Sequence, residues 1–141
     1  MKKIVVSLGG SVLVPSLESN NISRYVSVLE RIAEVCRIFI VVGGGGEARR
    51  YIGVARDLGA GEAAADELGI MVTRLNARLL VTGLGDAAYP RVAENYTEAR
   101  EFAGAGKIVV MGGITPAQTT DAVSAVLAES VGADLLINAT S

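Results

Sequence analysis

Ile38-Phe39-Ile40-Val41-Val42 runs straight into Gly43-Gly44-Gly45-Gly46, and this stretch decides the fold. Its five consecutive apolar residues, mostly β-branched, leave no polar face for water. Such a run fits a strand buried on both sides, as in a parallel sheet covered by helices. The pattern occurs twice more. Ile4-Val5-Val6-Ser7-Leu8 runs into Gly9-Gly10-Ser11, and Ile108-Val109-Val110-Met111 into Gly112-Gly113. In parallel sheets ligands bind beyond the carboxyl ends of the strands. Glycine there admits positive φ and lets backbone N–H groups approach a ligand with no Cβ in the way. Several such junctions on one edge suit a highly charged ligand such as a chain of phosphates.

Outward from these junctions, strands and helices alternate. Residues 3–8, 38–42, 107–111 and 134–138 read as strands, and 87–93 as a short one with Pro90 at an edge or end. A helix over 22–36 is capped by Asn20 or Asn21, and another spans 47–58. A longer helix over 62–82 carries an apolar stripe of Leu68, Val72, Leu75 and Leu79. Short helices follow over 97–103 and 121–131, the latter capped by Thr119 or Thr120 and closed by Gly132. The expected fold class is α/β: a three-layer sandwich with a mainly parallel, Rossmann-like central sheet and right-handed crossovers. The chain's 141 residues allow one domain with a real core. The last strand heads into Ala139-Thr140-Ser141 with no covering helix, so the sequence reads as cut rather than finished.

Composition removes several function classes. Half of the residues are apolar, which argues against disorder. Seventeen are glycine, well above the average of about 7%, and the excess sits at apparent strand ends. The net charge is −2 and no basic run exceeds Arg49-Arg50, so no nucleic-acid surface is expected. An acidic chain that binds phosphates must supply positive potential locally, through helix N-termini, a few arginines and a bound cation. There is no histidine, which removes Ser-His-Asp and Cys-His catalysis and histidine metal sites. The single Cys36 reads as a small buried hydrophobe on the stripe of the helix over 22–36. No run reaches the length of a membrane span. Met1-Lys2-Lys3 begins like a signal peptide, but the apolar stretch breaks at Gly9-Gly10. A cytoplasmic location is the default.

The known phosphate loops do not match. Gly106-Lys107 is followed by Ile108 where a P-loop needs Ser or Thr, and the dinucleotide fingerprint fails after Gly43 and Gly44. Kinase glycine-loop partners are missing too. Gly9-Gly10-Ser11 reads as an anion nest with the Ser11 hydroxyl as an added donor, or as a plain tight turn. Gly43 to Gly46 leads into a helix N-terminus whose dipole favours anions. Four glycines cost much backbone entropy, and packing alone rarely asks for all of them. Arg49 lies in the first turn, within reach of a phosphate, whereas Arg50 reads as a solvated surface residue. In Gly112-Gly113-Ile114-Thr115-Pro116-Ala117-Gln118-Thr119-Thr120-Asp121, side-chain donors crowd a loop before a helix start. Thr119 and Thr120 can join hydroxyl and backbone N–H on one phosphate, cap the helix, or both. Asp66, one turn into the long helix, reads as a surface carboxylate or as an acceptor for sugar hydroxyls.

Taken in order, these segments resemble the amino-acid kinase family. The carriers are Leu8-Gly9-Gly10-Ser11-Val12-Leu13, Val41-Val42-Gly43-Gly44-Gly45, Val110-Met111-Gly112-Gly113 and Thr119-Thr120-Asp121-Ala122. Within the family the chain is similar to the archaeal-type uridylate kinases, through Ala48-Arg49-Arg50-Tyr51-Ile52, Gly69-Ile70, Thr73-Arg74-Leu75-Asn76-Ala77 and Ala88-Tyr89-Pro90. The resemblance implies transfer of the γ-phosphate of ATP to UMP with Mg²⁺. It implies that Gly9, Gly10, Ser11, Gly45 and Arg49 hold ATP phosphates, with Gly10, Gly45 and Arg49 in the catalytic role. Gly44 would approach UMP, Asp66 would bind its ribose, and Ile114, Thr115, Pro116, Ala117, Gln118, Thr119 and Thr120 would wrap it. Thr140 would open the ATP segment. No metal ligand is assigned on the chain.

The resemblance also implies a homo-oligomer, with a hexamer as its form, while the scattered charges and short apolar runs lead us to expect no nucleic-acid or membrane partner. Two departures stand out. Many members carry Lys at the position of Ser7. Members also continue for several dozen residues with a Val-Asp-Gly-Val-Tyr-like run. Residues 1–141 are therefore expected to be the acceptor-binding portion of the kinase domain, lacking part of the ATP site. Alternatives are a kinase acting on a carboxylate, a carbamate or isopentenyl phosphate, and a nucleotide-binding module without turnover.

Overall fold

The apolar run before the four glycines forms β2 (Cys36–Val42), and its last five residues are buried. In this computed structural model, which describes residues 1–114 and 118–139, β2 pairs in parallel with β1 (Lys2–Leu8) and β3 (Val109–Met111). The far edge of β1 pairs in parallel with β4 (Leu135–Ala139), giving the order β3-β2-β1-β4 among the described residues. Leu8 stands opposite Val42, and Val41 opposite Met111, so the strands end nearly level. The three glycine junctions therefore emerge side by side. The ladder continues into them: Gly43 N–H donates to Leu8 O and Gly9 N–H to Ala139 O, each at 2.9 Å.

Alternation along the strands divides the core in two. Leu8, Ile38, Ile40, Val42 and Val110 pack with α2 (Ile22–Ala33) and α4 (Glu62–Leu84), chiefly on Leu29, Leu80, Val81 and Leu84. Val5, Phe39, Val41, Val109 and Met111 pack with α5 (Tyr96–Ala103) and α6 (Thr120–Val131), on Phe102, Val123 and Leu127. Each fully buried side chain of this size contributes about 1.5–3 kcal/mol relative to exposure. The expected three layers follow. A short helix, α1 (Gly10–Leu13), and α3 (Gly45–Asp57) start directly at the glycines, and α3 packs chiefly on α4.

Several expectations shift. Helix α2 stops at Ala33, so Cys36 opens β2 opposite Lys2 rather than lying on a helix stripe. It is half-buried against the α2–α4 core. The stripe of α4 is rotated: Ala65, Gly69, Val72, Asn76, Ala77 and Leu80 face inward, while Leu75 is 64% exposed. Small residues let α4 lie close to its neighbours, and a methyl on Gly69 would come within 2.8 Å of Ile52. Leu75 and Leu79 instead line an open groove of about 610 Å³ with Tyr51 and Leu17. Residues 87–93 form no strand; only Ala88 and Ala93 bridge to Ile108 and Met111, around Pro90. The sequence reading missed α1, because its four residues carry no periodicity.

Substitutions at two glycines separate packing from propensity. Gly53 lies inside α3 with open space at its Cβ position, so Gly53→Ala should raise unfolding free energy by about 0.5–1 kcal/mol. A methyl on Gly10 would lie 2.4–2.6 Å from backbone atoms of Gly43, Gly44 and Gly45. Gly10→Ala should therefore lower it by about 1–3 kcal/mol. Urea unfolding of both variants checks the pair, and equal effects would contradict it.

Candidate functional site

The first two glycine junctions interlock backbone on backbone. A Cβ on Gly10 would meet Gly45 N at 2.4 Å and Gly43 O at 2.5 Å. Gly45 has φ +62° and lies against Ser11, whose N a Cβ would approach to 2.7 Å. At Gly44 a Cβ would strike the Ala48 side chain at 2.3 Å. Packing thus demands glycine at Gly44 and Gly45 and is tight at Gly43, but it does not ask for all four, as expected; at Gly46 only the Arg49 guanidinium is near, at 3.8 Å. The Gly44, Gly45 and Gly46 amides donate to no backbone carbonyl among the described residues. They lie at the start of α3, where unpaired N–H groups and the helix dipole favour an anion.

The third junction abuts the second. The Thr120 hydroxyl sits 3.0 Å from where a Cβ on Gly43 would be. Thr119 is the N-cap of α6, its Oγ1 accepting from Ala122 N–H at 3.0 Å. Capping is thus its role within the chain, while the Thr120 hydroxyl faces the glycines. Gly112 and Gly113 pass against α4, where a methyl on Gly112 would come within 2.8 Å of Thr73 Oγ1. Ile114 packs against the α5–α6 core. Gln118 lies beside Tyr96: burial pushes the Tyr96 phenol above its usual pKa, and a hydrogen bond with Gln118 draws it part way back.

The charges divide clearly. Arg50 pairs with Glu47 at 2.7 Å on the surface, as the sequence suggests. Arg49 makes no ion pair among the described residues, and its guanidinium turns back toward Gly46 at the helix start. Asp66 is half-buried on α4. It precedes Ile70 and Thr73 by four and seven residues, so it shares their face, which meets Gly113. At the α3–α4 turn Arg56 binds Glu62 bidentately at 2.8 and 3.0 Å, and Glu62 raises its pKa further, with a smaller push from Asp66.

Lys3, Val5 and Ser7 share a strand face, and all three meet α6 or its end. Ser7 is fully buried, and its hydroxyl donates to Asp121 Oδ1 at 2.8 Å. Lys3 Nζ donates to Val131 O at 3.0 Å, at the opposite end of α6. Lys3 therefore serves the helix C-terminus and does not replace the family lysine absent at Ser7.

Gly9, Gly10, Ser11, Gly44, Gly45, Arg49 and Thr120 are thus brought to one edge, with Asp66 on the adjoining face of α4. Thr115, Pro116, Ala117 and Thr140 lie outside the described residues. The sequence reading of individual residues passed over Thr73 and Asn76. Their signal was a run of polar residues on a helix face that otherwise reads as apolar. Among the described residues no helix is long and apolar enough to cross a membrane.

This is an α/β domain whose glycine loops converge at the carboxyl edge of a parallel sheet. The chain belongs to the amino acid kinase family, whose model matches residues 2–141. It is 90% identical over 141 residues to the uridylate kinase of Methanoculleus marisnigri and 63% identical to that of Methanoregula boonei, covering 100% of this chain and 60% of each relative. The chain thus spans about 60% of the length of the curated relatives it matches. The crystal structure of uridylate kinase from Archaeoglobus fulgidus superposes with a TM-score of 0.91 at 46% identity, over 99% of this chain and 63% of that one.

The cap on α6 yields a direct check. Thr119→Ala removes an N-cap acceptor and should lower stability by about 1 kcal/mol, whereas Thr119→Ser should lose little. Thermal melts of the two variants separate the outcomes.

Proposed function

We propose that the protein carrying this chain is a UMP kinase, transferring the γ-phosphate of ATP to UMP and giving ADP and UDP. The observation that carries the reading is the meeting, at one sheet edge, of the Gly44–Gly46 amides, the Thr120 hydroxyl and the Arg49 guanidinium. In this reading an oxygen of the UMP phosphate attacks the γ-phosphorus as the bond to the β–γ bridging oxygen breaks. That oxygen needs no base, because a phosphate monoester is largely dianionic at neutral pH, its second pKa being about 6. A chain without histidine can therefore run the reaction by alignment and charge neutralisation.

Gly9, Gly10, Ser11, Gly45 and Arg49 serve the ATP phosphates. Gly44, Asp66, Ile114, Gln118, Thr119 and Thr120, with Thr115, Pro116 and Ala117, serve UMP, and Thr140 opens the ATP segment. Among the described residues no group of three or more His, Cys, Asp or Glu could hold a metal. The reading takes Mg²⁺ as arriving with ATP, where it would supply charge neutralisation. The reading includes a cytoplasmic homo-oligomer, a hexamer by resemblance.

A coupled assay of the full-length protein should show ADP release with ATP and UMP, and little with CMP, AMP, carbamate or isopentenyl phosphate. Turnover of one of the others in preference to UMP would overturn the reading. Arg49→Ala should lower kcat about 10²–10³-fold. Thr120→Ala should weaken UMP binding more than ATP binding in calorimetry; equal losses would reject that division of roles.

A further inference from the structure

One turn of α4 grips both ligand loops. Asn76, only 8% exposed, donates Nδ2–H to Gly43 O at 3.0 Å and to Gly44 O at 3.4 Å. Three residues earlier, Thr73 Oγ1 accepts from Gly113 N–H at 2.7 Å while donating to Ile70 O at 2.6 Å. Arg74 Nε donates to Gly113 O at 3.2 Å, and its guanidinium also reaches Glu94 at 3.6 Å. Both backbone groups of Gly113 and two successive carbonyls of the four-glycine loop are thus held by Thr73-Arg74-Leu75-Asn76.

The consequence follows from peptide geometry. In a trans peptide the carbonyl and the following N–H point in opposite directions. Drawing the Gly43 and Gly44 carbonyls toward α4 turns the Gly44 and Gly45 N–H groups away from it. These amides lie where the loop meets Gly10 and Ser11, and no backbone carbonyl takes them among the described residues. Glycine has the widest backbone freedom of any residue, so the Gly43–Gly44 link between β2 and α3 gains from a side-chain hold that keeps its donors aimed. Asn76 supplies that hold, and Thr73 fixes the start of the threonine-bearing loop relative to it.

We infer that Asn76 and Thr73 are positioning residues for phosphoryl transfer, Asn76 aiming the glycine-loop amides at the transferring phosphate and Thr73 setting the acceptor loop against them. This rests on the kinase reading above. It predicts a split between the two sites. In the full-length protein Thr73→Val, which keeps the shape and loses the acceptor, should raise the UMP KM at least tenfold with the ATP KM unchanged. Thr73→Ser should restore it to within about threefold. Asn76→Leu should lower kcat about 100-fold with smaller changes in both KM values. A merely structural role would instead lower the Tm with kinetic losses spread over kcat and both KM values, and Thr73→Ser would rescue no better than Thr73→Val; that outcome overturns the inference. Amide hydrogen exchange by NMR gives a second readout that needs no turnover: Gly113 N–H should exchange faster in Thr73→Val and at the native rate in Thr73→Ser. If the native protein fails to turn over UMP, the kinase reading falls, and the hold of Thr73 on Gly113 is decided by exchange alone. Unchanged exchange at Gly113 would then overturn it.

Discussion

Everything at the ligand edge depends on the contact between Gly10 and the peptides of Gly43, Gly44 and Gly45. Two backbones approach so closely that a single methyl would sit 2.4 Å from an amide nitrogen. That approach brings the β1 and β2 junctions into one surface, and the Thr120 hydroxyl closes on the same glycines from α6. It also explains why glycine accumulates here. The chain accepts the entropy cost of these glycines because at Gly44 and Gly45 a Cβ would come within 2.3–2.7 Å of a neighbour, and Gly45 also holds a positive φ.

The electrostatics follow from what the chain lacks. It is acidic and has no histidine, and Ser7, next to the end of β1, is buried and uncharged. Lys3 is bound to Val131 O at the far end of α6. Positive potential at the glycine edge therefore comes from the start of α3, whose first amides find no backbone acceptor among the described residues, and from Arg49. Ser7 instead tethers Asp121, joining the end of β1 to the beginning of α6. In the proposed kinase such a site would neutralise and align phosphates without a proton relay, which suits an acceptor already anionic at neutral pH.

Much of this was legible in the sequence because buried parallel strands and glycine junctions are local signals. The run 38–42, the Gly9-Gly10 pair and the Thr119 cap all sit where their residue types place them. The misreadings came where spacing permits two answers. Leu68, Val72, Leu75 and Leu79 and the true inner face of α4 share helical periodicity, and only the close packing allowed by Ala65, Gly69 and Ala77 selects between them. Cys36 passed from helix to strand because pairing with Lys2 extends β2 backward. The roles of Thr73 and Asn76 are long-range: each binds a carbonyl or amide more than thirty residues away in sequence, which no periodicity records.

The most direct measurement is a crystal structure of the full-length protein with UMP bound. The nucleotide phosphate should lie at the carboxyl edge of the sheet, within hydrogen-bond distance of the Gly44–Gly46 amides or the Thr120 hydroxyl, with the ribose near Asp66. UMP seated elsewhere, for example in the apolar groove lined by Leu17, Tyr51, Leu75 and Leu79, with the glycine edge empty, would contradict it.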